Sequence, residues 1–124
     1  MSFFRSLMGG GVPAVEVQQA AELQGDDGGA LIIDVREPNE YAQIRAKGSV
    51  LLPLGQLNGG VKRLPRDREL LMMCRTGVRS QNATQFLQAQ GFENVTNISG
   101  GVMAWRNANL PTTSGAPEPG EGEF

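Results

Sequence analysis

A chain of 124 residues with 40% hydrophobic residues and a net charge of −2 has the composition of one soluble domain built on a single core. The absence of histidine and the single cysteine exclude imidazole catalysis, an internal disulfide and the His/Cys sets of zinc sites. No block of like charge points to nucleic acid. The tail after Pro111 holds Glu118, Glu121 and Glu123 and no base, leaving 10 of the 13 acids against all 11 bases in the rest of the chain.

The start of the chain is apolar at Phe3, Phe4, Leu7 and Met8 but broken by Gly9-Gly10-Gly11. It is shorter than the about 20 residues that cross a bilayer, and it lacks the pattern of a secretory signal. Residues 1–12 are therefore expected to form an arm packed on the domain, with no stable membrane insertion and a reducing, cytoplasmic setting. A weak membrane or partner contact is the alternative for this arm. A short strand is expected over 15–17, a helix over 18–23 and a turn at Gly25-Asp26-Asp27-Gly28-Gly29. The β-branched run 31–35 reads as a strand buried on both faces of a parallel sheet. Pro38 suits the first turn of a helix carrying Glu40-Tyr41-Ala42.

A third strand is expected over 50–52, stopped by Pro53, and then loop with at most one helix to residue 68. The apolar run Leu70-Leu71-Met72-Met73 is a fourth strand that ends at Cys74. A helix over 78–90, a fifth strand over 95–98 and a last helix containing Val102 and Trp105 complete the domain, placed at 13–110. Such alternation implies an α/β fold with a mostly parallel five-stranded sheet, whose carboxyl ends carry the ligand. Residues 111–124 have little to bury and are expected to form a disordered acidic tail.

Cys74 opens the segment Cys74-Arg75-Thr76-Gly77-Val78-Arg79-Ser80. A free thiol titrates near about 8.5, and a helix N-terminus or a positive neighbour lowers that value. A loop over 75–80 can turn its backbone N–H groups toward the sulfur, Gly77 supplies the tight backbone, and Arg79 can reach the same space with a planar fork of donors. Taken singly, each element has a plainer reading: a small buried core cysteine, solvated arginines, a turn glycine. The joint pattern is what favours an anion cradle around a thiolate, a persulfide or an oxyanion.

At these residues the chain resembles the rhodanese (thiosulfate sulfurtransferase) family. Ile33-Asp34-Val35-Arg36-Glu37 with Glu40-Tyr41-Ala42 is similar to the first signature, and Gly48-Ser49-Val50-Leu51-Leu52-Pro53-Leu54 to the segment that follows. The cysteine loop is similar to the active-site loop, and Gly100-Gly101-Val102-Met103-Ala104-Trp105 to the closing motif. Ile44-Arg45-Ala46 departs from the family's usual Gly-His-Ile; it reads as neutral for the chemistry, with Arg45 a surface residue and a positive charge near a substrate anion as the alternative.

The resemblance implies a rhodanese-like sheet flanked by helices on both faces and a double displacement. Cys74 takes a sulfane sulfur from thiosulfate or a similar anionic donor and passes it to a thiophilic acceptor. That acceptor is a small thiol or a protein thiol such as a thioredoxin-like protein. In this reading Cys74 is catalytic and Arg75, Thr76, Gly77, Val78, Arg79 and Ser80 bind substrate. Asp34 and Arg36 hold the loop from behind, and neither metal nor cofactor takes part. Two rivals remain. One is a non-catalytic rhodanese-like binding module. The other is a phosphatase or arsenate reductase, whose loops place five residues between cysteine and arginine where this chain has four (Arg75, Thr76, Gly77 and Val78).

Overall fold

A computed structural model describes residues 6–8, 11–24 and 29–123. In chain order the strands and helices are β1 (Ser6–Met8), β2 (Val12–Val15), α1 (Val17–Gln24), β3 (Leu31–Asp34), α2 (Pro38–Gln43), β4 (Arg45–Ala46) and β5 (Val50–Leu51). They continue as α3 (Leu57–Gly60), β6 (Leu70–Met73), α4 (Val78–Ala89), β7 (Val95–Ile98), α5 (Gly101–Asn107) and β8 (Thr112–Thr113). Short 3-10 turns at Leu54–Gln56 and Val61–Arg63 flank α3, making the stretch expected to be loop largely helical.

The main sheet has the order β1-β2-β7-β6-β3-β5. Its last five strands run parallel, as expected, and β1 adds an antiparallel edge beside β2. The first parallel strand lies earlier than the sequence suggested, because Pro13 reads as a strand breaker. Here it sits inside β2, opposite Leu7 of the edge strand. The arm therefore contributes a strand at Ser6–Met8, while its remaining calls at 1–5 and 9–10, and the turn at 25–28, lie outside the described residues.

Strand alternation sorts the core onto two faces. Ile33, Leu70 and Met72 pack with Ala83 and Leu87 of α4 and with Leu57 of α3. Ile32, Leu71 and Met73 pack with Val17 and Ala20 of α1 and with Val102 and Trp105 of α5. All four residues of β6 are buried, which is what a central parallel strand covered on both faces requires. Among the described residues no helix is long and apolar enough to cross a membrane.

The tail is the main difference from expectation. Thr112–Thr113 pairs antiparallel with Arg45–Ala46 in a small second sheet. The Trp105 indole donates to Pro111 O (2.7 Å), Gly115 N–H donates to Ala42 O (2.7 Å) and Leu51 N–H donates to Gly122 O (2.9 Å). Arg45, expected at the surface, is 1% exposed and holds this segment. Its guanidinium pairs with Glu121 at 2.8 Å, donates to Gly115 O at 2.7 Å and to Tyr41 O at 3.1 Å, and lies over the Tyr41 ring. The tail has few apolar groups to bury, and polar bonds to a covered arginine and to the sheet edge order it instead.

Candidate active site

Parallel strands bring their carboxyl ends to one side of the sheet, so residues distant in sequence meet there. β6 delivers Cys74, β3 delivers Asp34 and the following Arg36, and β7 leads into Ser99-Gly100-Gly101. Cys74 is 1% exposed. After it the chain turns sharply: Gly77 has φ 109°, a left-handed conformation, and α4 begins at Val78. A Cβ at Gly77 would stand 3.3 Å from Gly100 N, a tight approach to fixed backbone that adds to the demand of the positive φ.

The turn folds around the sulfur. Gly77 N–H donates to Cys74 Sγ at 3.1 Å and Ser80 Oγ donates to it at 3.3 Å. Burial alone would push the thiol up. The Ser80 hydroxyl and the backbone N–H groups of Ser80, Gly77 and Thr76 outweigh it and hold the thiol below its ordinary value. Ser80 is also the third residue of α4, so the positive end of a 12-residue helix faces the sulfur.

Three further anchors fix the loop. α5 supplies Val102 N–H to Cys74 O (2.9 Å) and Met103 N–H to Arg75 O (3.1 Å). Those bonds require close approach, and a Cβ on Gly101 would overlap the Cys74 carbonyl. Asn97, buried on β7, donates Nδ2–H to Gly77 O at 3.0 Å. Asp34 and Arg36 form a buried pair at 2.7 Å. The remaining Arg36 bonds go to Ile44 O and Glu40 O rather than to residues 75–80, so the pair ties the end of β3 to the α2 segment instead of bonding the loop as expected.

Arg79 sits differently from expectation. Its fork does not turn over the sulfur; Nη1 and Nη2 donate to the two carboxylate oxygens of Glu40 at 2.8 and 2.9 Å. That bidentate bond, working against partial burial and aided by the Glu37 N–H, holds the Glu40 carboxyl down at about 2. The Arg79 guanidinium is raised, first by the Glu40 bond, with the Cys74 charge among the smaller causes. Arg75, Thr76 and Val78 are exposed at the rim, with Val78 at 67%.

The structure thus brings Cys74, Thr76, Gly77 and Ser80 together at the sulfur through their N–H or hydroxyl groups. Arg75, Val78 and Arg79 stand around it. Glu40 and Asn97 are clamps that residue-by-residue reading did not single out. Glu40 lies 39 residues from its arginine, and Asn97 reads as an ordinary strand residue.

The model of the rhodanese-like domain family matches residues 16–108. A sulfurtransferase of Allochromatium vinosum is 32% identical over 107 residues, covering 86% of this chain and 98% of the relative. The thiosulfate sulfurtransferase GlpE of Vibrio cholerae is 35% identical over 92 residues, covering 74% of this chain and 87% of the relative. Among solved structures, a rhodanese-related protein from Thermoplasma volcanium has a TM-score of 0.74 at 27% identity, over 81% of this chain and 96% of that one. The loop at the end of β6, the parallel sheet that carries it and a family match across most of the length give one answer: the chain belongs to the rhodanese-like domain family, with sulfurtransferases among its relatives.

Proposed function

We propose that this protein transfers a sulfane sulfur from thiosulfate, or a similar anionic donor, to a thiol acceptor through a persulfide on Cys74. The observation that carries the reading is the sulfur's own environment: a buried Sγ that accepts bonds from Gly77 N–H and Ser80 Oγ, with its thiol held below the ordinary value.

The first displacement needs only that environment. Cys74 thiolate attacks the outer sulfur of thiosulfate, the S–S bond of the donor breaks, and sulfite departs with the electron pair. The negative charge moves from Sγ to the added sulfur, one bond farther out, and the donors that hold Sγ, Gly77 N–H and Ser80 Oγ, are the groups nearest to it. No proton has to move, so the absence of histidine from the chain is no obstacle. Arg79 acts in this reading through position and charge, since Glu40 occupies its fork.

In the second displacement an outside thiolate takes the sulfur and Cys74 leaves as thiolate. With Cys74 the single cysteine, no internal thiol can resolve the persulfide. Steady-state rates with thiosulfate, mercaptopyruvate and polysulfide against one common acceptor test the donor. The reading expects thiosulfate to be turned over and Cys74→Ser to abolish transfer. Turnover of thiosulfate by Cys74→Ser at the wild-type rate would overturn it.

A further inference from the structure

Of the two arginines in the cysteine loop, one is matched by an acid and one is not. Arg75 is exposed and has no acidic partner among the described residues. Arg79 gives both arms of its fork to Glu40, at 2.8 and 2.9 Å. It stands one residue before Ser80, whose hydroxyl bonds Cys74 Sγ, and the Cys74 charge acts on its guanidinium. An anion approaching Cys74 therefore meets the field of an arginine–carboxylate pair, which is weaker than that of a free arginine. The two side chains are 37% and 26% exposed, so solvent screening keeps the difference modest.

Glu40 is not held in that place by its own helix. α2 has six residues, too few to be stable without tertiary ties. Arg36 supplies one tie, through Glu40 O and Ile44 O. The tail supplies the others. Gly115 N–H donates to Ala42 O at 2.7 Å. Arg45, paired with Glu121, donates to Tyr41 O at 3.1 Å and to Gly115 O at 2.7 Å. These tail residues lie beyond 16–108, the stretch that the family model matches. The carboxylate on Arg79 is thus braced by a segment outside the shared domain.

We propose that Glu40 sets the charge preference of the site and that the tail enforces it. Glu40 withholds part of the Arg79 charge from anions at Cys74, and the tail keeps α2, with Glu40 on it, within reach of the fork. Release of the tail lowers the effective concentration of the carboxylate at Arg79 and opens the fork to an anion. The inference rests on the persulfide reading above only for the identity of that anion, the sulfur donor.

The test is alkylation of Cys74 in the full chain by iodoacetate, an anion, and by iodoacetamide, its neutral analogue. Both reagents meet the same thiolate, so the ratio of their rate constants reads positive charge at the sulfur. Glu40→Gln keeps the side-chain shape and the acceptor for Glu37 N–H, and it should raise the iodoacetate-to-iodoacetamide ratio about threefold. Gly115→Pro changes no charge, removes the N–H that bonds Ala42 O and cannot adopt the φ of 95° found there. It should raise the ratio about twofold in the wild-type background and add nothing in Glu40→Gln. A loosened fold would speed both reagents alike and leave the ratio where it was. An unchanged ratio in either single variant would overturn the inference. So would a Gly115→Pro effect that persists at full size beside Glu40→Gln, because the tail would then act by another route. Failure of thiosulfate to leave a sulfur on Cys74 would overturn the proposed function instead, and the ratio, which needs no persulfide, would still decide the role of Glu40.

Discussion

A thiol that is 1% exposed should be hard to ionise, since burial disfavours the charged form. Cys74 is the reverse, because donors from Gly77, Thr76 and Ser80 converge on Sγ and outweigh burial. Ser80→Ala removes the one side-chain donor among them. With its folded value depressed, the thiol keeps its reactive form at lower pH than a free cysteine. Loss of Ser80 Oγ should move the rate–pH profile of Cys74 alkylation to higher pH. At pH 6 the rate should fall about tenfold or more, the effect expected of one hydrogen bond to a charged group. An unmoved profile would mean that backbone N–H groups alone set the thiol. The place of Ser80 in the first turn of the helix was legible in the sequence; the bond from its hydroxyl to the sulfur was not, because a serine there can as well face solvent or its own backbone. Nor was the engagement of Arg79. A guanidinium can serve an anion over the loop or a carboxylate beside it, and only the fold brings Glu40 to the same place.

At the scale of elements, the parallel strands and the α4 turn were readable from apolar runs, glycines and prolines. The tail was not readable. Its composition argues for disorder, and that argument fails because the segment satisfies groups that the domain leaves open: the Arg45 guanidinium, the Ala42 carbonyl and the Leu51 N–H at the sheet edge. Arg45 itself could not be placed from sequence, since an arginine two residues past a short helix is usually solvated. Arg45→Ala should cost about 2 kcal/mol in urea unfolding, through loss of a buried charge and its carbonyl bonds. It should also speed hydrogen exchange at the Leu51 and Gly115 amides, whose partners belong to the tail contact. Unchanged exchange at both would show that the tail is held without this clamp.

For the whole molecule, acid is the condition that separates these polar clamps from the apolar core. The Glu40 carboxyl is lowered from 4.5 to about 2 in the fold. Its contribution is therefore complete above the ordinary carboxylate range and is lost as pH falls from 4.5 toward about 2. Partial exposure of the Arg79–Glu40 pair limits that loss to about 1 kcal/mol. Glu121, lowered by Arg45, acts in the same direction. Unfolding free energy should decline over this window, and less steeply in Glu40→Gln; equal slopes would remove the pair from the account. The core on both sheet faces carries no such dependence and serves to hold the ends of β3, β6 and β7 together around one sulfur. The central claim concerns that sulfur, and the mass of the intact protein after incubation with thiosulfate tests it most directly. The wild-type chain should gain one sulfur atom, lose it again on addition of a thiol or cyanide, and Cys74→Ser should gain none. Wild-type protein that keeps a free Cys74 thiol and gains no sulfur would contradict the account.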